Sequence, residues 1–154
     1  MLIPETPIVA ATSFPSAVAA PRAAAAIGRG LLAGGAPGAE LVSVTPAIED
    51  AQGVRKLLEA VGFDARMRRA RAVIVGDGYP QERIGGRSWI DSMTFEIATR
   101  ARQAGVPAYA VLAINALDSF DARMLDLQVV LEARSIQALS VGENAGRRDM
   151  SAWP

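Results

Sequence analysis

Residues 72–78 read AVIVGDG, that is Ala72, Val73, Ile74, Val75, Gly76, Asp77 and Gly78. Three β-branched side chains in succession, with no polar residue among them, predict a strand buried on both faces. A strand wet on one side would alternate instead. Gly-Asp-Gly at its carboxyl end predicts a turn into a loop, which stays polar as far as Gly85, Gly86, Arg87 and Ser88. Strands of this kind belong to parallel sheets covered by helices, so the flanking chain should alternate strand with helix.

It does so in both directions. Toward the amino end, IVAA (8–11) and LVSV (41–44) read as strands, with an Ala-rich helix over 21–33 between them. Pro21 suits a first helical turn, and the Gly34-Gly35-Ala36-Pro37-Gly38 cluster stops the helix. Val54, Leu57, Leu58 and Val61 recur at helical spacing over 49–61, and a short helix is expected over 64–70. Toward the carboxyl end, Ile90, Met93, Ile97, Ala98 and Ala101 share one face of a helix over 90–104, ended by Gly105 and Pro107. Strands over 109–113 and 127–131 and helices over 120–126 and 135–141 complete the series. The expectation is a three-layer α/β fold. It has a mostly parallel sheet of about five strands, helices on both faces and a Rossmann-like or flavodoxin-like strand order 2-1-3-4-5. Residues 1–145 read as one domain and 146–154 as a tail.

The 154 residues are 51% hydrophobic and 21% charged, which is enough apolar surface for a real core. Sixteen basic side chains balance sixteen acidic ones, so binding to nucleic acid through phosphate neutralisation is not expected. There is no His and no Cys. That removes Ser-His-Asp and Cys-His nucleophiles, Cys/His zinc sites and disulfides. Lys56 is the single lysine, and the excess of Ala, Gly and Arg is that of a GC-rich bacterial genome. Thr12, Ser13, Pro15, Ser16, Pro21 and Arg22 interrupt the apolar stretch over 8–33, so no membrane span is expected there. The first positive charge, Arg22, comes too late for a secretory leader. The reading is a soluble cytoplasmic protein.

Ligands of open parallel sheets sit beyond the strand carboxyl ends. Two loops qualify: Thr12, Ser13, Phe14, Pro15 and Ser16 after the first strand, and the loop from Gly76 to Ser88 after the third. Gly76, Gly78, Gly85 and Gly86 let backbone N–H groups approach an anion, Arg83 or Arg87 can grip a phosphate or carboxylate, and Asp77 can hold a metal. The same residues also fit a glycine-rich turn with solvated charges. There is no G-x-x-x-x-G-K-[ST] segment, and Gly28-Arg29-Gly30 falls inside a helix rather than after a strand, so neither a P-loop nor a dinucleotide fingerprint is present. Arg66, Arg68, Arg69 and Arg71 read as a solvated helix face, and Trp89 and Trp153 as packing residues.

The order of segments resembles the bacterial glycerate kinases, which phosphorylate D-glycerate with ATP. IVAATSFPSAVAAPRAAAAIGRGL resembles that family's opening strand, its Asp-Ser-Phe-Lys-Gly-Ser loop and its Ala-rich helix. VGFDARMRRARAVIVGDGYPQERIGGRS, followed by ARQAGVPAYAVLA, resembles its later strand, Gly-Glu-Gly loop and helix. The resemblance spans nearly the whole chain, although the family's middle portion, with much of a second domain, is missing near Val61 and Gly62.

The departures fall on polar positions. Ser13 and Phe14 match, but Thr12, Pro15 and Ser16 stand where the family has Asp, Lys and Gly. PAIEDAQG replaces a Gly-rich loop, Asp77 replaces Glu, Tyr79 replaces Arg, and Gly86-Arg87 replaces Gly-Lys. The family's later Asp falls near Gln81 or Glu82. By resemblance, ATP and Mg²⁺ would be the cofactors. Asp77 and Glu82 would be the catalytic candidates, with Asp77 on the metal, and Ser13, Gly76, Gly78, Gly85, Gly86 and Arg87 would line the nucleotide. Phosphoryl transfer depends on positioning and electrostatics, so loss of these groups predicts reduced or lost catalysis. The alternative is a non-catalytic, homo-oligomeric interaction module, or one that binds a small anion or nucleotide.

Overall fold

The computed structural model describes residues 6–14, 18–36, 38–44, 51–78, 93–113, 117 and 119–133. The elements are β1 (Ile8–Ala11), α1 (Ala20–Ala33), β2 (Glu40–Ser43), α2 (Ala51–Ala60), α3 (Phe63–Arg68), β3 (Val73–Asp77), α4 (Met93–Ala104), β4 (Ala108–Leu112), α5 (Ser119–Met124) and β5 (Leu127–Glu132). The strands form one five-stranded sheet in the order β2-β1-β3-β4-β5, and every neighbouring pair is parallel. The three-layer α/β architecture and the strand order read from the sequence are the observed ones. The helix expected over 135–141 and the tail over 146–154 lie outside the described residues, as do Trp89 and Trp153.

Side-chain alternation divides the core in two. Ile8, Ala10, Val73, Val75, Ala108, Ala110 and Leu112 face Val54 and Leu58 of α2, Phe63 and Met67 of α3, and Met93, Ile97 and Ala101 of α4. Val9, Ala11, Ile74 and Tyr109 face Ala23, Ala24, Ala26, Ile27 and Leu31 of α1. All five residues of β3 are buried, as its apolar run predicts. The alanines of α1 let that helix lie close on the sheet, and Pro21 sits in its first turn, where a missing N–H leaves no bond unmade. Gly62 takes a left-handed φ of 63° between α2 and α3, a conformation that costs other residues about 1–2 kcal/mol.

Right-handed crossovers account for the order. The chain moves one way from β1 to β2 over α1, then returns past β1 to β3 over α2 and α3 on the other face. That reversal puts the switch point between β1 and β3, where a crevice is expected. Among the described residues no helix is long and apolar enough to cross a membrane.

Candidate functional site

The carboxyl ends of β1 and β3 meet at this switch point. In register, Ala11 lies beside Gly76, and the ladder runs one step further through Thr12 N–H, which donates to the Gly76 carbonyl at 2.9 Å. The Thr12 hydroxyl oxygen then accepts the Gly78 N–H at 3.0 Å. Its own hydrogen has the Ser13 carbonyl within reach at 3.1 Å. Thr12 is 1% exposed, so these are bonds made away from water, where an orphaned N–H would cost about 1–3 kcal/mol. The first loop thus brings Thr12 and Ser13 directly against the third.

The fit between the two loops is tight. A Cβ on Gly78 would lie 1.9 Å from the Ser13 carbonyl oxygen and 2.6 Å from Phe14 Cα. On Gly76 it would lie 2.7 Å from Ile27 Cδ1 of α1 and 3.1 Å from Ala11 Cβ. Gly78 is therefore required by the packing of main chain on main chain, whereas a side chain on Gly76 would first have to displace the tip of Ile27. Phe14 and Val18 exchange backbone hydrogen bonds at 2.8 and 3.2 Å, which closes the first loop. The Phe14 ring is 1% exposed and packs with the residues under α1.

Asp77 is wholly buried at the end of β3, on the α4 face of the sheet. Its Oδ2 accepts the Thr94 hydroxyl at 3.0 Å and the Thr94 N–H at 3.3 Å. Thr94 lies in the first turn of α4, where backbone N–H groups have no intrahelical acceptor, so Asp77 caps that helix from the neighbouring strand. A divalent ion wants several oxygen ligands. Asp77 gives one oxygen to Thr94 twice over, and among the described residues no three acidic side chains come together. Asp77 Oδ2 is thus committed within the chain. Glu82, Gly85, Gly86 and Arg87 lie outside the described residues.

One charged cluster escaped the sequence reading. Glu96 of α4, whose side chain is 7% exposed, accepts from Arg55 of α2 at 3.0 Å and from Arg100 at 2.8 Å. Arg100 also donates to Asp64 of α3 at 3.1 Å. The chain of four ties α2, α3 and α4 together. Only Glu96 and Arg100, four apart on one helix, carry a spacing signal. Arg66, read as part of a solvated face, is paired with Glu40 at the surface.

Comparison with protein families, curated proteins and solved structures finds no match to this chain.

Proposed function

We propose that this chain is a glycerate kinase-like domain that keeps the scaffold of an ATP-dependent phosphotransferase and has lost, or greatly reduced, phosphoryl transfer. The observation that supports this reading is how the switch point spends its polar groups. The Thr12 hydroxyl and Gly78 N–H bind each other, and the Asp77 carboxylate caps α4. Transfer needs a metal, cations on the phosphates and an oriented hydroxyl. The Thr12 hydroxyl, the Gly78 N–H and one oxygen of Asp77 are engaged within the chain instead. What the reading retains is cytoplasmic binding of a small anion or nucleotide, with Gly85, Gly86 and Arg87 as its ligands and Ser13 at the rim. A coupled assay with D-glycerate and MgATP, beside thermal unfolding with ATP, ADP, D-glycerate or phosphate, tests it. Turnover at background is expected, with a rise in Tm from one anion that Arg87→Ala removes, since a ligand of the native state must stabilise it. Turnover well above background that disappears in Asp77→Asn overturns it.

A second reading is an assembly module built on the same scaffold. It is favoured by Phe120 and Met124, one turn apart on α5 and 61% and 52% exposed, on a helix that buries no residue. Apolar surface of this kind is commonly covered in oligomers. A monomer by light scattering at micromolar concentration excludes it.

A further inference from the structure

At the opposite end of the sheet from the switch point lies a hollow of about 430 Å³, lined by Arg102, Val106, Pro107, Tyr109, Asp126 and Gln128. Its size is that of a small-ligand site. Three features shape it. Between Ala108↔Leu127 and Ala110↔Val130, β4 has only Tyr109 while β5 has Gln128 and Val129, so β5 bulges opposite Tyr109. Bulges re-aim side chains at sheet margins. Asp126 takes a left-handed φ of 56°, the only described non-glycine residue with positive φ. Arg102 is anchored by its Nη1, which donates to the Met124 carbonyl at 2.7 Å across the gap from α4 to α5.

The hollow therefore carries one cation and one anion. Arg102 and Asp126 are both exposed, and no ion pair among the described residues joins them to each other or to another charge. Opposite charges that share a wall without pairing can each take one end of a zwitterion. α4 ends here at Ala104, and the negative end of its dipole adds to Asp126 in attracting an ammonium group. The Arg102 guanidinium keeps N–H donors beyond the one given to Met124, and these suit a carboxylate. Val106 and Pro107 add apolar wall to the same hollow.

We propose that this hollow binds a free α-amino acid with an apolar side chain, its carboxylate on Arg102, its ammonium between Asp126 and the carboxyl end of α4, and its side chain against Val106 and Pro107. The site is independent of the switch point and of any phosphotransfer there.

Amide NMR of the full chain, titrated with L-phenylalanine to about 10 mM, tests the proposal. The expected result is movement of the Val106, Tyr109 and Gln128 amides. Phenethylamine, which lacks the carboxylate, and 3-phenylpropionate, which lacks the ammonium, should each bind about tenfold more weakly. Arg102→Gln should bring phenethylamine level with L-phenylalanine. Asp126→Asn, which keeps a residue tolerant of positive φ, should do the same for 3-phenylpropionate. No amide movement at that concentration overturns the proposal. So do equal affinities of the three compounds for the wild-type protein, or affinity ratios left unchanged by both variants.

Discussion

Replacing Gly78 by alanine sets a methyl group 1.9 Å from the Ser13 carbonyl oxygen, about 1 Å inside the closest contact that a real Cβ makes. The obstacle is backbone, so no rotamer change relieves it. Either β3 or the first loop must move, and both are held. Gly78 N–H is bonded to Thr12 Oγ1 at 3.0 Å, and Phe14 and Val18 close the loop with two further bonds. Overpacking of this kind costs about 1–3 kcal/mol, and orphaning the buried Gly78 N–H adds about 1–3. A total of about 2–6 kcal/mol lowers Tm by roughly 4–24 °C in a chain of this size. Gly76→Ala is the internal control. Its Cβ meets the tip of Ile27 at 2.7 Å, a side chain that can turn aside, so about 1–2 kcal/mol is expected. Urea and thermal unfolding followed by circular dichroism measure both. If Gly78→Ala unfolds within about 0.5 kcal/mol of wild type, or costs less than Gly76→Ala, the interlocking of the two loops is wrong.

Thr12→Val keeps the shape of the side chain and removes the acceptor for Gly78 N–H, so it should cost about 1–3 kcal/mol; Thr12→Ser should recover most of that, and equal stability of the two would place the acceptor elsewhere. Asp77→Ala should cost about 2–3 kcal/mol by leaving the Thr94 N–H and hydroxyl unmet, while Asp77→Asn, whose amide oxygen still accepts, should cost about 1; the order is read by urea unfolding. Glu96→Ala strips Arg55 and Arg100 of their shared partner and should cost about 2 kcal/mol, less than for a fully buried pair because Arg55 is half-exposed; a cost under about 0.5 would remove the network from the account of stability. Burial pushes the Tyr109 hydroxyl above its ordinary value of 10.0, with Arg71 pulling the other way. The unfolded chain then loses this proton first as pH rises, so stability from Tyr109 is intact below about pH 10 and drains away above it. Tyr109→Phe should flatten that decline in unfolding free energy above pH 10, and an unchanged slope would refute it.

The fold was legible because its signals are local. A parallel strand buried on both faces writes itself as a run such as Val73, Ile74 and Val75, and a helix under such a sheet as the spacing of Met93, Ile97 and Ala101. The ends of α1 could be read from Pro21 and Gly34. The site was legible only in part. Gly76 and Gly78 stand out in the sequence as positions where a side chain is unwelcome, but a glycine reads the same whether the intruder is a ligand or another piece of chain. Here the intruders are Ile27 and the Ser13 carbonyl, 49 and 65 residues away along the chain by their numbering, a separation that no periodicity encodes. Asp77 was equally visible, and its partner Thr94 was not, because a cap supplied from a neighbouring strand has no fixed spacing. The hollow at the other end of the sheet gave no signal either. It depends on a bulge that arises only once β4 and β5 pair, and on one left-handed Asp just past the end of α5.

The switch point also shows how the two loops of a doubly wound sheet can be spent on each other. A doubly wound sheet offers a crevice between β1 and β3 because consecutive loops leave toward opposite faces, and a ligand enters only if those loops stand apart. A polar residue at position 12 can serve the crevice in two ways. It can reach outward to a ligand, or turn across the gap to the other strand. Thr12 turns across, and its β-branched side chain, short and stiff, brings its oxygen within 3.0 Å of Gly78 N. With that bond formed, the Ser13 carbonyl lies against Gly78, and main chain fills the space beside its Cα. Opening it again means breaking a buried hydrogen bond, a cost of about 1–3 kcal/mol that any ligand must repay from its own contacts. On the reading proposed above, the bond that stabilises the loops is also the bond that withholds them from catalysis.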